Sequence, residues 1–123
     1  MAVTIDRLPE TVHLKYKRGD EVGELFTLLG PPDGNGDREP IDITGNTYRA
    51  QMRRSASSSA YVSLTVDVVN PTGGQFVLRL DSSVTATLSG NYEWDLEQNA
   101  GGVIRTLLAG RFTAKPDVTR DPM

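Results

Sequence analysis

The chain has no cysteine, a single histidine and a single tryptophan in 123 residues. Without cysteine, disulfides and thiolate metal sites are excluded. That absence fits folding in a reducing cytoplasm, a compartment that exported cysteine-free proteins also pass through. His13 has no second histidine to share a metal with and no motif partner to make it a base. Its expected place is the polar face of a strand, between Val12 and Leu14. No apolar run approaches the about 20 residues of a membrane-spanning helix. The opening MAVTIDRLPETVHL lacks the basic-then-apolar order of a signal peptide. Net charge is −3, from 13 basic and 16 acidic residues, which offers no basic field for nucleic acid. P-loop, dinucleotide and nucleophile-elbow patterns are missing too. These absences predict a soluble, intracellularly made single domain over residues 1–123, with no nucleic-acid or membrane partner and no cofactor.

Helical periodicity is also scarce. What is present instead is a two-residue alternation broken by turn chemistry, with 12 glycines and 7 prolines. Strands are predicted over residues 11–17, 23–29, 47–53, 61–69, 75–80, 92–97 and 103–114. The apolar run closing 23–29 suggests burial on both faces. On 61–69, Val62, Leu64, Val66 and Val68 share one face. On 92–97, Tyr92, Trp94 and Leu96 face one way and Glu93, Asp95 and Glu97 the other. A bend or bulge is expected at Gly110. Asp81 to Leu88 reads as one short helical turn, capped by Asp81 or Ser82. Residues 1–10 read as an extended N-terminal arm, SASSSA at 55–60 as a mobile polar linker, and 115–123 as a C-terminal tail. Residues 30–40, with three glycines and three prolines, read as a loop with no core of its own. About seven short strands at this spacing predict an all-β fold, an immunoglobulin-like antiparallel sandwich with extended termini, against a closed barrel as the rival.

Four constellations are candidate sites. Asp33, Asn35 and Asp37 have the spacing of oxygen ligands for a hard cation, but Arg38 and Thr44 stand where a calcium loop needs Gly and Glu. A solvated turn is therefore expected. Glu93, Asp95 and Glu97 stand about 7 Å apart along a strand, a separation that glycoside hydrolysis uses. Catalysis would also need a cleft and one carboxyl of raised proton affinity, so a polar outer face paired with Arg105 or Arg111 is the expectation. Arg49, Arg53 and Arg54 make a small basic patch, expected to be a solvated face or an interface rim. With His13 left at the surface, no catalytic, cofactor-binding or metal residue is assigned.

Several motifs, in order, resemble a group of small tailed-bacteriophage proteins. The pattern I-D-L/I-T-G-x-x-x-R/K-x-Q-M/I/V-R is matched by Ile41 to Arg53. A Gly-rich turn before a strand follows at Gly74 to Leu78, then Thr-Ala-x-Leu at Thr85 to Leu88. G-x-Y-x-W/Y-D-L/V is matched by Gly90 to Leu96. T-L-L-x-G-x-F/V-x-V/A and D-V-T-R close the series at Thr106 to Ala114 and Asp117 to Arg120. The match covers roughly residues 11–120 and is similar to the immunoglobulin-like N-terminal domain of phage baseplate upper proteins. The resemblance implies a non-enzymatic virion component made in the host bacterial cytoplasm. It further implies virion proteins as partners, multiple copies on a symmetric particle and no catalytic residues. A tail or baseplate-associated position is expected, with capsid decoration as the alternative and host-glycan binding as a second one. Residues 1–10, 31–40 and 115–123 are the expected contact segments.

Overall fold

Alternation of apolar and polar side chains becomes strand almost wherever it occurs. The computed structural model describes residues 1–116. Its elements are β1 (Ala2–Thr4), a 3-10 turn (Ile5–Arg7), β2 (Glu10–Thr11), β3 (Leu14–Lys17), β4 (Val22–Leu29), β5 (Thr47–Arg53), β6 (Val62–Asn70) and β7 (Gln75–Leu80). The single-turn helix α1 (Ser82–Thr85), β8 (Gly90–Ala100) and β9 (Val103–Lys115) complete the order. The all-β expectation holds.

The strands form one continuous, nearly barrel-shaped sheet in the order β1-β4-β7-β6-β5-β8-β9-β2, with β3 also on β9. Continuity comes from β6. Its first residues pair antiparallel with β5 (Leu64 opposite Ala50), and from Thr65 onward it pairs with β7 instead. At the other side of the wall the N-terminal segment spans the seam. β1 lies parallel to β4, with Val3 opposite Leu28, while β2 and β3 lie parallel to β9, with Glu10 opposite Leu108 and Leu14 opposite Phe112. Glu10 Oε1 accepts hydrogen bonds from the Thr4 amide (2.9 Å) and hydroxyl (2.5 Å), tying the two pieces together. Residues 1–10 are therefore built into the sheet, and Val3 is fully buried, where a free arm was expected. Nor does the expected tail begin at residue 115, since Lys115 ends β9; residues 117–123 lie outside the described residues.

Inside the wall, Phe76 stacks between Phe26 (ring centroids 5.5 Å) and Tyr48 (5.2 Å), and Phe112 stacks on Tyr16 (5.9 Å). Such pairs add attraction beyond the area they bury. β4 is buried on one face only: Phe26 and Leu28 point inward while Leu25 is 45% exposed. The apolar ending misled because its alternate members lie on a half-covered surface. Along β6 the inward face opens out, from buried Leu64 through half-buried Val66 to exposed Val68.

The expected strand over 11–17 is interrupted at Val12 and His13. The Val12 amide still bonds to Ala109 O (3.0 Å), but its carbonyl turns inward to accept the Trp94 indole N–H (2.9 Å). This contact explains Gly110. A β-carbon there would lie 2.0 Å from Val12 O, so glycine marks a close backbone approach. The bulge lies elsewhere. Leu96 pairs with Leu108 and Glu97 with Thr106, so Leu107 is the extra residue, and Leu107 and Leu108 are both buried.

α1 packs against the β3–β4 turn through Thr85. Its buried hydroxyl accepts from the Gly19 amide (3.1 Å) and lies 2.8 Å from Asp20 O and 3.1 Å from Ser82 O. A hydroxyl has one proton to give, so the two carbonyls share it.

Candidate functional site

The outer face of β5, β8 and β9 forms an open groove lined by charged side chains. Period-two alternation puts Trp94 and Leu96 into the core and so turns Glu93, Asp95 and Glu97 outward together. Cross-strand register then supplies their neighbours. Arg53 and Arg111 flank Glu93, Gln51 and Ala109 flank Asp95, and Arg49 and Thr106 flank Glu97. The walls are raised by Ala56 on one side and His13 on the other, enclosing an open groove of about 580 Å³ with the Gly110 backbone in its floor.

The three carboxylates differ. Arg49 reaches Glu97 at 3.8 Å. Ion pairs among the described residues use Asp6, Glu97 and Asp67, leaving Glu93 and Asp95 without one. Partial burial between the flanking strands raises the proton affinity of Asp95, the neighbouring Glu97 charge adds to this, and Arg53 and Arg49 oppose it. Arg105, an expected partner for the stripe, is in register with Gln98 instead; Arg111 does stand opposite Glu93. The groove and the raised Asp95 meet two requirements of carboxylate catalysis. However, side chains on one strand face project in parallel, whereas a glycosidase pair must flank the scissile bond from two sides.

Of the basic patch, Arg53 lines this groove and Arg49 pairs with Glu97, while Arg54 turns to Tyr92. Arg53 donates to Ser58 O (2.7 Å) and Ser59 O (2.9 Å) and lies over the Tyr61 ring at 4.8 Å, so it organises the 55–60 segment into a turn, where a mobile linker was expected. Arg54 lies over the Tyr92 ring at 4.2 Å and donates to Asn91 O (3.2 Å) and Ser89 Oγ (3.3 Å). His13 sits on the groove wall, exposed, and its Nδ1 accepts from the Arg111 amide (3.1 Å). That bond places the ring proton of the neutral form on Nε2.

The Asp33–Asn35–Asp37 loop is self-braced. Asp33 Oδ1 accepts from the Asn35 (2.8 Å) and Asp37 (3.0 Å) amides, an arrangement that turns the loop. Arg38 anchors its end to Asp6 (2.7 Å) and Gly30 O (3.0 Å), holding the Asp6 carboxyl below its ordinary range. No three His, Asp or Glu side chains come together as a metal-ligand group among the described residues. Asp42 plays the same bracing part before β5. It accepts from the Thr44 amide and hydroxyl at 2.9 and 2.6 Å, which hold its carboxyl low.

One surface feature was not singled out from sequence. Val103 and Ile104 are 64% and 60% exposed at the tip of the β8–β9 hairpin. The signal was available, as β-branched residues directly after the Gly101–Gly102 turn. No helix among the described residues is long and apolar enough to cross a membrane. A scan against protein-family models finds no match for the chain, and a search of curated proteins finds none.

Proposed function

We propose that the chain is a non-enzymatic structural or adaptor component of a tailed-phage virion, tail- or baseplate-associated, with capsid decoration as the alternative. The observation that carries this reading is the location of the residues behind the phage resemblance. The turn Ile41–Asn46 leads into β5, and β5, β8 and β9 lie side by side. Their side chains serve as scaffold: Asp42 turns the chain, Trp94 bonds Val12, and Gly110 admits a crossing backbone. The motifs thus describe how a wall is built, as a structural module requires, and no reacting group is needed to explain them.

The finer fold reading belongs with this proposal. Divided at β6, the sheet becomes β1-β4-β7-β6 facing β2/β3-β9-β8-β5-β6. An immunoglobulin-like sandwich has this arrangement, with a first strand that switches sheets. Tyr92, at the start of β8, accepts the Ser89 amide on its hydroxyl (3.2 Å), as in a tyrosine corner. With residues 1–10 inside the sheet, the hairpin tip becomes the leading contact segment, and the self-braced 31–40 loop the second.

Host-glycan binding is the second reading, favoured by the polar groove. Against it, Tyr61 is the one exposed aromatic residue of eight, and Arg53 covers its ring. Immunogold electron microscopy of purified particles with antibody to this chain separates the readings. Label at the tail tip or neck is expected; label on heads replaces it with capsid decoration. Absence of the chain from particles by mass spectrometry refutes the virion proposal, and a glycan-array signal supports the second reading.

A further inference from the structure

Asn35 differs from the chain's other asparagines in its neighbour and in its side chain. It alone precedes a glycine. Asn46, Asn91 and Asn99 are followed by Thr47, Tyr92 and Ala100, whose β-carbons crowd the next nitrogen, and Asn70 by Pro71, whose nitrogen carries no hydrogen. The side-chain carbonyls of Asn70, Asn91 and Asn99 accept from the Gly73 amide (3.1 Å), the Thr113 hydroxyl (2.8 Å) and the Gly102 amide (2.9 Å). The Asn35 side chain enters no hydrogen bond among the described residues; only its backbone amide is held, by Asp33. Both Asn35 and Gly36 are exposed, and nothing lies within 4 Å of where a β-carbon on Gly36 would stand. The turn itself opposes the reaction that this pair invites. The Gly36 amide donates to Asp33 O (3.0 Å), the Asp33 amide to Asp37 O (2.8 Å), and Asp33 Oδ1 holds the Asn35 and Asp37 amides. While these bonds last, the Gly36 nitrogen keeps its proton and cannot swing onto Asn35 Cγ.

We propose that Asn35–Gly36 is a site of spontaneous deamidation, and that opening of the Asp33-braced turn sets its rate. Once the turn opens, the Gly36 nitrogen bonds to Asn35 Cγ and the Cγ–Nδ2 bond breaks. Ammonia leaves, carrying by way of solvent the proton that the Gly36 nitrogen gave up, and a cyclic imide remains. Water then adds to one of the two ring carbonyls. Cleavage at Cγ leaves aspartate at position 35; cleavage at the main-chain carbonyl leaves isoaspartate, with the chain running through the side-chain carbons. Water is the one co-reactant, and nothing is oxidised or reduced. Either product adds one negative charge to the formal −3 and sets a third carboxylate between Asp33 and Asp37. The isoaspartate form also lengthens the main chain inside a turn closed by short bonds. This inference stands whether or not the chain is a virion component.

The test is peptide mapping by mass spectrometry, with isoaspartate detected by enzymatic methylation, during incubation of the purified chain at mildly alkaline pH. Conversion of amide to acid is expected at Asn35 ahead of every other asparagine. It should run at least about tenfold faster in urea than in the folded protein, since the native turn must open first. Asp33→Ala should speed the folded protein at least about fivefold, the effect of losing one hydrogen bond of ordinary net strength. In urea, where no turn remains, that variant and the parent chain should react alike. Unchanged circular dichroism melting establishes that the variant folds, and the urea comparison of the parent chain tests the gate without any substitution. Faster conversion at another asparagine of the folded protein overturns the proposal, as does an Asn35 rate that folding leaves unchanged. An Asp33→Ala gain that persists undiminished in urea overturns the gate, because the gain then comes from the lost charge and not from the turn.

Discussion

Substituting Gly110 with alanine should be among the most damaging single-methyl changes available in this protein. The added carbon would stand 2.0 Å from Val12 O and 2.7 Å from its carbonyl carbon, both backbone atoms. A rotamer change cannot relieve that overlap, so the Val12–His13 segment must lift away from β9. Three bonds depend on its present position: Val12 amide to Ala109 O, Trp94 Nε1 to Val12 O and Arg111 amide to His13 Nδ1. The Trp94 side chain is 3% exposed, so its N–H would lose its acceptor without gaining water. An unsatisfied buried donor costs about 1–3 kcal/mol, and the forced backbone shift about 1–3 more. Together they give a loss of about 2–6 kcal/mol. Urea unfolding followed by the fluorescence of Trp94, the sole tryptophan, reads both the midpoint and the loss of its environment. Gly34→Ala is the control, because nothing lies within 4 Å of its added carbon. A Gly110→Ala loss within about 0.5 kcal/mol, the range of ordinary surface changes, would refute the close-approach reading.

Thr85→Val keeps the shape of α1 but removes the hydroxyl that meets Gly19 N and Asp20 O; a loss of about 1–3 kcal/mol in denaturant unfolding is expected. Asp95→Asn should stabilise the fold slightly at neutral pH, by at most about 0.5 kcal/mol for so open a site. Because burial and Glu97 raise the proton affinity of Asp95 in the folded state, its ionisation lowers stability as pH rises above the ordinary carboxylate value. The advantage of asparagine should therefore vanish below about pH 4, and an advantage that grows on acidification would contradict that sign.

The central strands were legible because their side chains alternate against a covered face. β5 and β7 have the bounds that alternation predicts, and Tyr92, Trp94 and Leu96 point inward as read. β8 extends further, from Gly90 to Ala100, since the turn needs only Gly101 and Gly102, at φ 59° and 90°. What was illegible depends on partners remote in sequence. Ala2–Thr4 has no periodicity of its own and becomes strand because β4 offers it an edge. Gly110 looked like a bulge residue, whereas the cause of its glycine is a carbonyl nearly a hundred residues earlier in the chain. The candidate groove was half legible. Alternation put three carboxylates on one face, but the walls formed by His13 and Ala56 arise only from tertiary crossing.

The seam-spanning N-terminal segment also sets the order of events during synthesis. Thr4 and Glu10 can meet early, being six residues apart. The partner of Glu10, Leu108, leaves the ribosome far later, and so does Phe112, the partner of Leu14. Until then β2 and β3 have no ladder, and Leu14 and the Tyr16 ring, which stacks with Phe112, lack their cover. Contacts of such long range slow folding and leave apolar surface open meanwhile. Until β9 emerges, a nascent chain of this protein therefore keeps that apolar surface open, and truncation within β9 leaves β2 and β3 without their partner strand while β1 keeps its place on β4.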